Sequence, residues 1–394
     1  MKKILLASAA IAFGATGAFA DEVKMGVLLG FTGPLESLAP GMAKGAEMAM
    51  KEVSDSGKLL GGDTVTPVEG DSTCIDAAAA TAAGEKLVTS DKVHGILGAM
   101  CSGATTAVLQ NVAMPNGMVM VSPSATSPAL STLPDDGLFF RTAPSDARQG
   151  DVMADEILEK GIKSVAVTYT NNDYGKGLAD SFEKAYAAKG GKVTISAAHE
   201  DGKGDYSAEV GSLASAGGDA LVIAGYVDQG GSGILRGALD TGAFSTFVFP
   251  DGMVSQALQD NFGPEINGSF GQLPDSAGQG MKTYLGMAKA AGFDGSSAYS
   301  GGSYDGAALM LLAMQAANST DPKVYKDKIM EIANGPGEKI YPGELAKGLE
   351  LLKEGKPIDY EGATAVNLIG NGEAAGTFRE IEIKDGKIET VKYR

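Results

Sequence analysis

Short apolar runs recur along this chain, and each breaks off at Gly, Pro or hydroxyl residues before a helix-spaced stretch begins. Residues 23–29 (VKMGVLL), 94–98 (HGILG), 118–121 (MVMV), 164–169 (SVAVTY), 193–195 (VTI), 220–224 (ALVIA) and 247–250 (FVFP) are such runs, with 64–66 (TVT) a weaker one. They carry little polar alternation, so neither face of such a strand suits water. Strands of that kind belong in parallel sheets covered on both sides. Between the first two, Met42, Ala46, Ala49 and Val53 repeat at helical spacing, Lys44, Glu47 and Lys51 face away, and Gly57 ends the run. Helices are likewise expected after Asp76, up to Val112, through Val152, Ile157 and Leu158, and over 178–188. The strand–helix series restarts after residues 141–145. The expectation is therefore α/β, with two doubly wound parallel-sheet lobes and a first crossing at 141–145. Fifty-six glycines and no tryptophan fit many tight strand-to-helix turns.

The ends and the charge narrow the setting. Residues 1–20 (MKKILLASAAIAFGATGAFA) open with two lysines, continue through a short apolar stretch and close on Ala18-Phe19-Ala20. This is the form of a secretory signal peptide cleaved after Ala20, and the stretch is too short to span a bilayer. Removing Lys2 and Lys3 takes the net charge from −17 to −19, a balance that repels nucleic acid and anionic membrane surfaces. The remaining 374 residues (394 minus 20) suggest two domains. Cys74 and Cys101 are the two cysteines. In an exported chain an even count favours a disulfide over two separate buried thiols. Closing that loop is worth roughly 3.5 kcal/mol by chain entropy.

Ligands of doubly wound sheets bind beyond the carboxyl ends of the strands. The loops there are 31–34 (FTGP), 100–103 (MCSG), 122–128 (SPSATSP), 171–175 (NNDYG), 225–228 (GYVD) and 250–252 (PDG). They hold little catalytic chemistry. His94 starts a strand, and His199 is expected at an exposed strand end; neither has a nucleophile beside it in sequence. No P-loop, G-x-G-x-x-G, G-x-S-x-G, H-E-x-x-H or zinc cluster occurs, so neither a cofactor nor a metal is expected. A hydrolase using Ser102 or Ser124 lacks a base. A sensory module lacks a membrane span. Binding fits better. Ser102 near a helix start, with Ser124, Ala125 and Thr126, can meet a carboxylate through neutral donors, although one serine alone reads as a helix cap. Asp251 can pair with an ammonium, and Tyr174 and Tyr226 can cover a ligand; each alone is an ordinary turn or rim residue.

In order and spacing these loops resemble the periplasmic leucine/isoleucine/valine-binding proteins of ABC transporters, the type I solute-binding proteins. The likeness is carried by 30–34 (GFTGP), Cys74 with Cys101-Ser102, 122–128, Arg141-Thr142, 173–177 (DYGKG), Gly225-Tyr226, 233–236 (GILR) and 250–252, across essentially the whole mature chain. The resemblance implies two lobes joined by three crossings: 21–141 with 275–376, and 142–274 with 377–394. It implies an amino acid, aliphatic, branched-chain or aromatic, held in the cleft of a monomeric periplasmic receptor and delivered to a membrane permease. Ser102 and Tyr226 would meet the ligand carboxylate. Thr126 would act through its N–H and hydroxyl, Ser124 through its carbonyl, and Asp251 on the ammonium. Tyr174 and Tyr299 would line the side-chain pocket. The cysteine pair matches a disulfide of the family. Leu38 stands where close relatives carry tyrosine, which makes that wall greasier. A short-chain amide, a urea-like molecule or an aromatic acid is the alternative ligand. The segment 343–360 is longer than in compact relatives.

Overall fold

A computed structural model describes residues 20–394; the expected signal segment lies outside them but for Ala20. Five parallel strands form the core of a first sheet: β1 (Glu22–Leu29), β2 (Thr64–Asp71), β3 (Ile96–Gly98), β4 (Met120–Ser122) and β5 (Phe139–Arg141). Five more form a second: β6 (Ser164–Thr170), β7 (Lys192–His199), β8 (Ala220–Ala224), β9 (Phe247–Phe249) and β10 (Phe270–Pro274). The short β11 (Glu338–Ile340) and β12 (Ile358–Tyr360) pair only with each other. β13 (Leu368–Ile369) and β14 (Glu373–Ala374) then complete the first sheet, in the order β13-β14-β5-β4-β3-β1-β2. The hairpin of β15 (Phe378–Lys384) and β16 (Lys387–Tyr393) completes the second, as β16-β15-β10-β9-β8-β6-β7. The chain therefore passes between the sheets after β5, after β10 and after β14.

The apolar runs of the sequence become central strands, buried along their length at β3, β4, β8 and β9. β7, half exposed at the edge of the second sheet, and β2 are the exceptions; β2 is half exposed and carries Pro67. It lies at the sheet edge, where a missing N–H leaves no ladder bond unmade. Helix Ala39–Ser56 buries Met42, Ala46, Ala49, Met50 and Val53 and ends on left-handed Gly57. Asp76 caps the alanine-rich helix Ala77–Glu85 through Ala78 N and Ala79 N. The least periodic helix is the most deeply placed. Ser300–Ala317 is buried at every position from Ser300 to Gln315, because it packs on helix Ala39–Ser56, on the first sheet and on helix Leu345–Lys353.

That last helix accounts for the long segment 343–360. It rides with β11 and β12 on the outside of the first lobe, with Leu345 and Leu349 buried. Glu52 holds its start, accepting from Leu345 N at 2.8 Å and Gly343 N at 3.1 Å. Asp305 anchors its exit, accepting from Tyr360 Oη, Ala363 N, Thr364 N and Thr364 Oγ1 at 2.6–2.9 Å. The expectation that His199 is exposed is overturned. β7 ends under Tyr206, leaving His199 1% exposed with Nδ1 2.8 Å from Thr168 Oγ1, and burial pushes its pKa down to about 4.

The second lobe also buries an acid without a full set of partners. Glu156, on helix Asp146–Glu159, is 2% exposed, and its Oε2 has no hydrogen-bond partner. Burial, reinforced by the charge of Glu380, pushes it up to about 9 despite Lys160, Arg394 and Lys392. A folded-state value above the ordinary 4.5 means that proton uptake favours the native state at low pH. That contribution is lost as pH climbs from about 4.5 to about 9. Glu156→Gln removes the charge. Its melting temperature should match wild type near pH 4, pull ahead with rising pH, and stop gaining above about pH 9. Melting curves that stay parallel across that range would show that Glu156 is ionised at neutral pH.

Candidate functional site

All six polar loops of interest leave the carboxyl ends of strands, and they face one another across the gap between the sheets. A nearly closed cavity with about 10 Å³ of open space lies there, lined by Leu35, Leu38, Met100, Cys101, Ser102, Ser124, Tyr174, Tyr226, Asp251, Gly252 and Tyr299. Seven of the nine residues expected to form the binding site thus share one space. Ala125 and Thr126 do not line it; both are fully buried just behind the wall.

The first-lobe wall is a braced loop. Ser122 Oγ donates to Ala99 O at 2.6 Å and accepts from Ala125 N at 3.0 Å, while Ser124 Oγ donates to Met100 O at 2.7 Å. Ser102 Oγ accepts from Ser127 N at 3.1 Å. Behind them the buried Arg141 guanidinium donates to Ala125 O at 2.9 Å, Ser127 O at 3.0 Å, Ser131 Oγ at 2.7 Å and Glu373 Oε2 at 2.6 Å. One side chain thereby ties the loop after β4 to the strand before the third crossing. The Cys74–Cys101 disulfide, with Cα atoms 5.2 Å apart, fixes the loop after β2 to the start of helix Ser102–Val108. Neither serine bonds to a histidine, and His94 Nδ1 is taken by Lys24 N at 3.1 Å.

The second-lobe wall is built on Asp251, which is 3% exposed. Oδ1 accepts from Tyr174 Oη at 2.9 Å and Gln149 Nε2 at 2.8 Å, and Tyr299 Oη reaches over from the first lobe to Oδ2. Burial raises its pKa, and the bonds from Tyr299, Gln149 and Tyr174 hold that rise down. Tyr174 and Tyr226 stack with ring centroids 5.2 Å apart. Burial pushes the hydroxyls of Tyr174, Tyr226 and Tyr299 well above their ordinary value, so they stay protonated and can donate. Gly252 is required beside this carboxylate. A Cβ there would lie 2.6 Å from Gly225 O and 2.8 Å from Tyr174 Oη.

Two residues of this region escaped the reading of the sequence. Gln149, on helix Asp146–Glu159, supplies a bond to Asp251. Asp146, at the start of that helix, is fully buried, its N donating to Thr126 O at 2.8 Å. Burial, then the charge of Asp251, raises its pKa well above the carboxylate range, against Thr126 and Arg141. Nothing local marks either residue, since each reads as a helix position.

The lobes are drawn together by direct contacts. Asp228 Oδ2 accepts from Ser37 N at 2.8 Å, Asp228 N donates to Pro34 O at 3.1 Å, and Thr106 Oγ1 donates to Asp173 Oδ2 at 3.3 Å. With Tyr299 on Asp251, these bonds hold a closed arrangement. A solute the size of leucine enters only after they part.

Comparison with known proteins agrees with this architecture. A family profile described as periplasmic binding protein matches residues 22–332. The chain is 32% identical to Leu/Ile/Val-binding protein homolog 1 of Brucella melitensis over 344 residues, 82% of this chain and 86% of that one. Among solved structures it resembles the leucine binding protein LivK of Thermotoga maritima, with a TM-score of 0.79, 22% identity, and coverage of 94% and 98% of the two chains. It also resembles a solute binding protein of R. palustris in complex with 4-hydroxybenzoate, with a TM-score of 0.74, 18% identity, and coverage of 95% and 97%.

The Asp228 contact gives a test of the closed arrangement. Asp228→Ala leaves Ser37 N unpaired and should weaken closure by about 0.5–1.5 kcal/mol. The expected result is a larger radius of gyration in small-angle scattering without ligand. An unchanged radius would mean that Asp228 does not hold the lobes together.

Proposed function

The chain belongs to the periplasmic binding protein family, and on that premise we propose that it is the receptor of an ABC importer that captures an amino acid between its lobes and passes it to a membrane permease. It binds without turnover, acts as a monomer, and works in the periplasm after cleavage behind Ala20. Its lobes are residues 21–141 with 275–376, and 142–274 with 377–394.

One observation carries the choice of ligand. The cavity holds a buried carboxylate, Asp251, and no Lys, Arg or His lines it among the described residues. A solute that is only an anion would meet that carboxylate uncompensated, at a heavy desolvation cost. A zwitterion suits it. Its ammonium meets Asp251 in place of the Tyr299 hydroxyl. Its carboxylate meets Ser102 and Tyr226, with the Ser124 carbonyl taking a further ammonium proton; the Thr126 N–H and hydroxyl, behind the wall in the closed arrangement, reach it only once the lobes part. Leu35, Leu38, Met100, Tyr174 and Tyr299 present an apolar and aromatic surface that a side chain would meet once the lobes part, which supports an aliphatic or aromatic amino acid. The fold is shared with a protein in complex with 4-hydroxybenzoate, so the fold does not choose between ligands; the acid in the cleft is what favours the zwitterion.

Each lobe supplies part of the site, so the solute binds the closed form better and draws the hinge equilibrium toward it. A thermal-shift series with leucine, isoleucine, valine, phenylalanine and 4-hydroxybenzoate tests the reading. A true ligand at about a hundred times its dissociation constant adds about 2.7 kcal/mol of stability. Asp251→Ala should then cost about 2–5 kcal/mol of affinity for that amino acid. A response to 4-hydroxybenzoate alone, unaffected by Asp251→Ala, would replace the amino acid with an aromatic acid.

A further inference from the structure

Asp146 is the unexplained group behind this cleft, within the field of Asp251 but not among the residues that line the cavity. It is fully buried, and the Thr126 hydroxyl is its one side-chain donor among the described residues, too poorly aligned to satisfy either carboxylate oxygen. Gln149 Oε1, also buried, is unpartnered as well. Asp251 is different, because three side chains donate to it. Buried polar atoms are nearly always paired, and a buried carboxylate without well-aligned donors is among the costliest exceptions.

The groups facing Asp146 leave its need unmet. The Asp251 carboxylate follows β9 and repels it. The hydroxyls of Tyr174, Tyr226 and Tyr299, from three different elements, all feel its charge. Arg141 is the one cation near it among the described residues, and that guanidinium already donates to Ala125 O, Ser127 O, Ser131 Oγ and Glu373 Oε2. The region therefore gathers free acceptors around two acids and offers no free cation of its own. A primary ammonium, with one positive charge and three N–H donors, is the chemical complement.

We propose that Asp146 is a second carboxylate for the cationic end of the solute, and that the Asp146–Asp251 pair holds one proton when no solute is bound, which the arriving ammonium displaces. The step is a plain exchange. The O–H bond of the protonated acid breaks, its proton passes to water, and the carboxylate takes up an N–H of the ammonium; nothing is oxidised or reduced. The shared proton is what lets two carboxylates coexist in a dry site before the ligand comes. This inference rests on the reading of the cleft as an ammonium-binding site and deepens it.

Titration calorimetry with L-leucine and L-phenylalanine, run in phosphate and in Tris, tests it on the wild-type protein. The expected result is release of about one proton per ligand, with apparent affinity rising with pH by up to about tenfold per unit. Asp146→Asn keeps the shape, and its fold is checked by its melting curve. It should release no proton, lose the pH dependence, and bind at least about tenfold more weakly at about pH 8. Wild-type binding without proton release overturns the proposal, as does an Asp146→Asn variant with wild-type affinity and pH profile; either leaves the amino acid reading standing. If the wild-type protein binds neither amino acid nor any other primary ammonium solute, that reading falls and takes this inference with it.

Discussion

The desolvation of carboxylates in the gap between two sheets is the constraint on which this structure turns. Parallel strands end where the backbone is uncovered, and the loops after β6, β8 and β9 bring Tyr174, Tyr226 and Asp251 to one place. Water is excluded, so the acid must find donors within the protein or on a ligand. Tyr174, Gln149 and Tyr299 are such donors, and Tyr299 comes from the opposite wall. The same electrostatic need that stabilises the closed form thus creates the demand for a cation. On the proposed reading, closure and recognition share atoms, and that sharing couples a hinge to a solute.

The hydroxyl-rich loop after β4 shows how a turn becomes a wall. Its small residues and prolines allow tight packing, but small residues alone leave a loop loose. Arg141 supplies the stiffness, with its guanidinium donors on loop carbonyls, Ser131 and Glu373. A buried guanidinium needs a carboxylate and several acceptors to offset its own desolvation, and the loop carbonyls meet that need. The disulfide does the corresponding work one loop away, between the ends of β2 and β3. The first-lobe wall is rigid before any ligand arrives, which limits the entropy lost on binding.

Much of the fold was legible because parallel strands buried on both faces leave an apolar signature that needs no context. The loops at the carboxyl ends could be placed for the same reason. Other parts were illegible for physical causes. Helix Ser300–Ala317 is buried all round, so its sequence carries no stripe. His199 ends a strand beside charged residues and reads as exposed, yet Tyr206 covers it. Ala125 and Thr126 follow Ser124, which lines the cavity, but the loop packs both of them behind the wall. Gln149 and Asp146 look like ordinary helix positions until the helix is set against the end of β9.

The sequence by itself determined that the chain alternates buried strands with helices, restarts after Arg141, and carries its polar groups at strand ends. Each of these follows from local periodicity and residue chemistry. Only the tertiary structure decided which charges are dry, which hydroxyls have donors or acceptors left over, and that two aspartates more than a hundred positions apart feel one another. Burial and electrostatic coupling are properties of neighbours, and neighbours across a cleft are not written in the order of residues along the chain.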